Sequence, residues 1–117
     1  MSKWKPNEGK IKGGYVIVYD YYLDLKREYN LDNGDILCLA KIVTLDVGLG
    51  ICTISDRRLG YYLNETVRNI QKRLSRLEEK KLIQRRTMTD NNDGRAVTMR
   101  VIDVNYDLVE NESQDNV

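Results

Sequence analysis

Residues 66–83, TVRNIQKRLSRLEEKKLI, carry apolar side chains at Val67, Ile70, Leu74 and Leu77. Steps of three, four and three collect these four positions on one face of an α-helix and on no face of a strand. The segment therefore predicts a helix with one buried stripe and a polar remainder. Leu82 and Ile83 then open a strand running to about Thr89. Asp90 to Gly94, DNNDG, is a turn rich in residues that tolerate left-handed backbone. On the return, Arg95 to Val104, Val97, Met99 and Val101 alternate with Thr98 and Arg100, the period of a strand. A long helix followed by a hairpin is the frame into which the rest of the chain must fit.

The preceding segments supply the other elements. Tyr15–Asp20 is β-branched and aromatic, which predicts an N-terminal strand. Its Tyr-rich end (Tyr19, Tyr21, Tyr22) suits either a stacking platform for bases or, in a chain with no Phe, an aromatic part of the core. LDNGDILCLAKIVTLD predicts an almost wholly apolar helix. Asp32 is its N-cap, Asp35 completes a capping box, and Leu31 with Ile36 forms a hydrophobic staple. Gly34 weakens it slightly. Gly48 and Gly50 break the chain, and Ile51–Ile54 reads as a short strand. Ser55 caps a short helix holding Leu59 and Leu63 on one face. Asn64 is then available to cap the long helix. The expected class is α+β, mainly α.

The 117 residues suit one domain with one modest core. Three segments divide the chain: a flexible basic arm over 1–14, a folded domain over 15–109 and an acidic flexible tail over 110–117. No apolar run reaches the roughly 18 residues of a membrane helix. MSKWKPNEGK lacks the apolar centre of a signal peptide, so a cytoplasmic protein with no membrane partner is expected. Cys38 and Cys52 lie in apolar surroundings and are expected to be buried, reduced thiols. The chain has no histidine and neither a GxGxxG nor a GxxxxGK[ST] motif. That removes His-based acid–base catalysis, the common nucleophile systems and the usual zinc sites. No enzyme activity, metal or cofactor is expected.

Net charge is only +1, yet it is strongly segregated. Residues 56–100 hold 12 basic and 6 acidic side chains, whereas residues 15–55 hold 3 and 6, and residues 101–117 hold 0 and 5. A local cationic excess on one contiguous segment is a candidate electrostatic footprint for nucleic acid.

The pattern LGYYL–NETVRNIQKRLSRLEEKKLI, followed by QRRTMT–DNNDG–RAVTMRV, resembles a winged helix-turn-helix domain. With the lead-in YVIVYDYYL and the apolar first helix, it is similar to the N-terminal domains of plasmid and phage replication initiators and replisome organisers. The resemblance covers about residues 15–104. It implies a three-helix core, an N-terminal strand and a C-terminal β-hairpin wing. Two departures stand out. Only Asn64 and Glu65 separate the short helix from the Thr-Val pair, and Lys81 occupies the position where the family usually ends the helix with Gly.

The resemblance implies sequence-specific binding of double-stranded DNA at repeated sites in a replication origin, a transfer origin or an operator. The protein would bind as a homodimer or in tandem. At 100° per residue, the direction opposite the apolar stripe falls on Lys72, with Arg68, Asn69 and Arg76 around it and Thr66 and Arg73 on a flank. Glu65 and Glu79 share that face only at its ends. Arg68 and Asn69 are the expected base readers, since Arg pairs with guanine and Asn with adenine. Lys72, Arg73 and Arg76 are expected on phosphates or deeper in the groove. A solvated surface helix usually mixes signs, and the acid-free strip is what favours DNA. In the wing, Arg85, Arg86 and Arg95 are favoured over the tip residues Asn91 and Asn92, because Asp90 and Asp93 repel phosphate. Arg57, Arg58 and the arm (Lys3, Lys5, Lys10, Lys12) are secondary candidates. About 5–8 phosphate contacts would follow, with a slope of log K against log salt of about −5 to −7. The alternative is a winged-helix interaction module that recruits a replication or conjugation protein.

Overall fold

The computed structural model describes residues 16, 18–91 and 94–109. The chain is α+β and mainly helical. Its elements are α1 (Tyr21–Glu28), α2 (Asn33–Leu49), α3 (Asp56–Leu63), α4 (Val67–Glu79), β1 (Ile83–Asp90) and β2 (Val97–Val104). The strands form one antiparallel hairpin, in register from Ile83 opposite Val104 to Asp90 opposite Val97. The arm over 1–14 and the tail over 110–117 lie outside the described residues. No helix among the described residues is long and apolar enough to cross a membrane.

The N-terminal strand is not found. None of the described residues from Val16 to Asp20 is in a strand, and the chain turns into α1 at Asp20. Strand propensity weighed the Tyr and Val content, but Tyr22 and Leu25 sit three apart and both are buried, which is a helical spacing. Tyr19, Tyr21 and Tyr22 stack on one another with ring centroids 4.5–6.3 Å apart. Tyr22 is wholly buried, and the other two pack against the core. These rings are core aromatics, and a base-stacking platform is not what they form.

Helix α2 begins as its sequence predicts. The Asp35 amide donates to Asp32 Oδ1 at 2.8 Å, and the Asp32 amide donates to Asp35 Oδ2 at 3.2 Å. Leu31 and Ile36 are both buried, as a staple requires. The helix passes through Gly48 and ends at Gly50. Ile51–Ile54 makes no strand. One backbone bond, Ile102 N–H to the Cys52 carbonyl at 2.9 Å, lays the segment beside β2 without forming a ladder. Arg100 reinforces it by donating to the Ile54 carbonyl and to Asp56, each at 2.5 Å. Cys38 and Cys52 are free and buried. Burial pushes the Cys38 thiol up to about 12 and also raises Cys52, so both stay protonated and inert.

The tight connection between α3 and α4 has a simple physical basis. Asn64 ends α3 in the left-handed conformation, φ 58°, while Thr66 caps α4 by accepting from the Asn69 amide at 3.1 Å. Asn64 thus closes the earlier helix and does not open the later one. Two residues suffice because the Glu65 amide donates back to the Gly60 carbonyl at 2.8 Å. A β-carbon at position 60 would lie 2.6 Å from the Glu65 carbonyl oxygen, so glycine alone permits the approach.

At the far end of α4 the missing glycine is replaced by strain. Lys81 itself adopts φ 66°. The Leu82 amide reaches the Leu77 carbonyl at 3.0 Å and the Lys81 amide reaches Glu78 at 2.9 Å, a Schellman pair. An L-residue in this conformation costs about 1–2 kcal/mol. Lys81→Gly is expected to stabilise the domain by about 0.5–1 kcal/mol in urea unfolding, glycine's greater freedom in the unfolded chain offsetting part of the relief. No gain would mean that the strain is relieved elsewhere.

Candidate nucleic-acid interface

Helix α4 packs through Ile70, Leu74 and Leu77, all fully buried, while Val67 is 42% exposed. The buried stripe is therefore centred on three residues and not four. Its opposite face turns slightly away from Asn69 and Arg76, toward Arg68 and Ser75. Arg68, Gln71, Lys72 and Ser75 are all exposed and border one shallow trough along α4, closed at its end by Arg76 and Glu79. Arg68 and Lys72 make no ion pair among the described residues. Gln71 and Ser75 were missed by sequence reasoning, which followed charge; their spacing from Arg68 and Lys72 was the available signal.

Arg73 is not on this face. Its side chain is only 16% exposed and binds three carboxylates at once. Nε and Nη2 hold the two oxygens of Glu65 at 2.6 and 2.7 Å. Nη1 reaches Asp32 at 2.6 Å and Asp35 at 3.0 Å. The guanidinium lies on Gly34, where a β-carbon would overlap it, so the glycine that weakens α2 is what admits Arg73. Arg76 joins the same cluster through two bonds to Asp35, 2.6 and 2.8 Å. Asp35 is 1% exposed on its side chain, and the two arginines are what make a buried carboxylate tolerable. This cluster fastens α4 to the first turn of α2.

The cluster also sets how the fold responds to acid. Hydrogen bonds from Arg73 hold the Glu65 carboxyl below its ordinary 4.5, against partial burial. At Asp32, burial raises the pKa, but the Asp35 amide and then Arg73 outweigh it and hold the group below 3.8. Groups depressed in the folded state stabilise it above their unfolded values, and that contribution is lost as pH falls through the folded ones. With no histidine in the chain, melting temperature is expected to be level from pH 8 to about 5 and to fall below about 4.5. Glu65→Gln, followed by thermal denaturation across that range, should make the fall shallower.

The hairpin arginines are likewise committed. The Arg85 amide and guanidinium bind Glu78 at 2.6–3.0 Å, and these bonds, the backbone one first, keep the Glu78 carboxyl low. Arg85 Nη2 also lies 3.5 Å from Ser75 Oγ, so the base of the hairpin adjoins the trough. Arg86 pairs with Asp103 across the strands at 2.5 Å. Arg95 and Asn91 are exposed near the tip, and Asn92 lies outside the described residues. Thr66 is exposed, its hydroxyl used in the cap. Asn69 sits apart from the trough, in a recess with Gly60, Tyr61, Asn64, Glu65 and Thr66. Arg57 is exposed, and Arg58 donates to the Tyr62 hydroxyl at 2.6 Å.

Of the eleven predicted contact residues, the trough thus keeps Arg68 and Lys72 at its centre and Arg76 at its edge. Arg73, Arg85 and Arg86 are drawn into internal pairs. No group of three or more acidic or cysteine side chains among the described residues is placed to hold a metal. Comparison with family models, with curated proteins and with solved structures finds no match to this chain.

Proposed function

We propose that this chain is a sequence-specific double-stranded-DNA-binding protein of the winged helix-turn-helix kind, with α3 and α4 as the helix-turn-helix and the hairpin as the wing. Helix α4 lies in the major groove and α3 flanks it against the backbone. The setting is a plasmid or phage, and the targets are repeated sites in a replication origin, a transfer origin or an operator, bound as a dimer or in tandem because one small domain reads few bases.

One observation carries the reading. In a chain that pairs Arg73, Arg76, Arg85, Arg86 and Arg100 with specific carboxylates, Arg68 and Lys72 have no such partner among the described residues. They stand on the outward face of the helix that follows a two-residue turn. A duplex supplies the missing anions.

The internal pairs lower the expected charge count. With Arg68, Lys72, Arg95 and one or two flanking cations as contacts, log K should fall with log salt at a slope of about −3 to −4.5. A mobility shift on random duplex at 50 and 200 mM salt tests this. A shift at the lower salt that weakens with that slope supports DNA binding. No shift even at 50 mM rejects it and favours recruitment of a replication or conjugation protein.

A further inference from the structure

The trough on α4 contains one side chain whose chemistry is that of a base reader and not of a phosphate clamp. Gln71 is exposed, uncharged and three residues from Arg68 on the same face. Three residues advance about 4.5 Å along a helix, close to the roughly 3.4 Å between successive bases on one strand. The candidates that charge alone suggested have other work: Arg73 and Arg76 are bound to Asp35, and Asn69 faces the recess beside Tyr61.

Resting on the DNA-binding reading above, we propose that Gln71 is a specificity-determining residue that recognises adenine in the major groove, next to a guanine read by Arg68. Its amide N–H donates to adenine N7 and its amide oxygen accepts from the adenine N6 amino group. Arg68 donates to guanine O6 and N7. Ser75, one turn further and beside Arg85, ends the row where the wing begins. Because Gln71 is neutral, it adds nothing to the phosphate attraction that dominates binding to random duplex. Its effects on preference and on bulk affinity are therefore separable.

The test is selection of bound duplexes from a random pool with the full chain, its Gln71→Ala variant and its Gln71→Glu variant. The wild-type site should contain one fixed A·T pair, and Gln71→Ala should lose about 5- to 150-fold discrimination at that pair alone. Its binding to random duplex should stay within about twofold. Gln71→Glu should move the preference toward a cytosine, whose N4 amino group donates to a carboxylate. A Gln71→Ala motif identical to wild type, or a wild-type motif without a fixed A·T pair, overturns the assignment while leaving DNA binding intact. A wild-type protein that shifts no duplex at 50 mM salt takes the whole reading down.

Discussion

Arg73→Ala is expected to destabilise the domain by about 3 kcal/mol, which lowers the melting temperature by roughly 10–15 °C in a chain of this size. The mutation leaves Asp35 in the core with Arg76 as its one remaining cation, and it frees Glu65 from its two-pronged partner. Losing one member of a buried ion pair costs about 3–5 kcal/mol, and the retained Arg76 places the effect at the lower end. Arg73→Lys should restore little, because an ammonium cannot hold both Glu65 oxygens and reach Asp32 and Asp35 together. The folded fraction of Arg73→Ala should bind duplex with an unchanged salt slope. A variant of normal stability whose slope falls by about 0.9 would instead make Arg73 a phosphate contact and reverse this assignment.

Replacing Arg68 and Lys72 together by Ala should have the opposite signature. Both side chains are exposed and make no ion pair among the described residues, so stability should change by no more than about 0.5 kcal/mol. Affinity for the selected site should fall by about 3 kcal/mol, roughly 100-fold, since one side chain is placed for a base edge and the other for a phosphate. The magnitude of the salt slope should drop by about 1.8. Titrating fluorescent duplex at several salt concentrations measures both quantities at once. Undiminished binding by the double variant would move the interface off α4, and Arg95 on the hairpin would be the next residue to examine.

These two variants diverge because neighbouring positions on one helix have opposite surroundings, which a helical projection does not reveal. Local features were legible because they depend on residues within one or two turns. The capping box at Asp32 and Asp35, the Ser55 cap, the stripe through Ile70, Leu74 and Leu77, and the hairpin around DNNDG all follow from spacing and side-chain chemistry. Helix α1 was not legible: Tyr and Val raise strand propensity, and only the packing of Tyr22 and Leu25 against the rest of the core favours a helix. The role of Gly34 was equally hidden, since its reason is a guanidinium arriving from α4.

The sequence by itself determined which segments are helical, where most of them stop, and that residues 56–100 carry the cationic excess. Only the tertiary structure decided how much of that excess faces outward. Asp32 and Asp35 meet Arg73 and Arg76 across 38 to 41 positions of chain, and no periodicity reports contacts of that range. The opposite charges of the two halves attract one another first, and what remains unmatched on α4 is what is left for a partner.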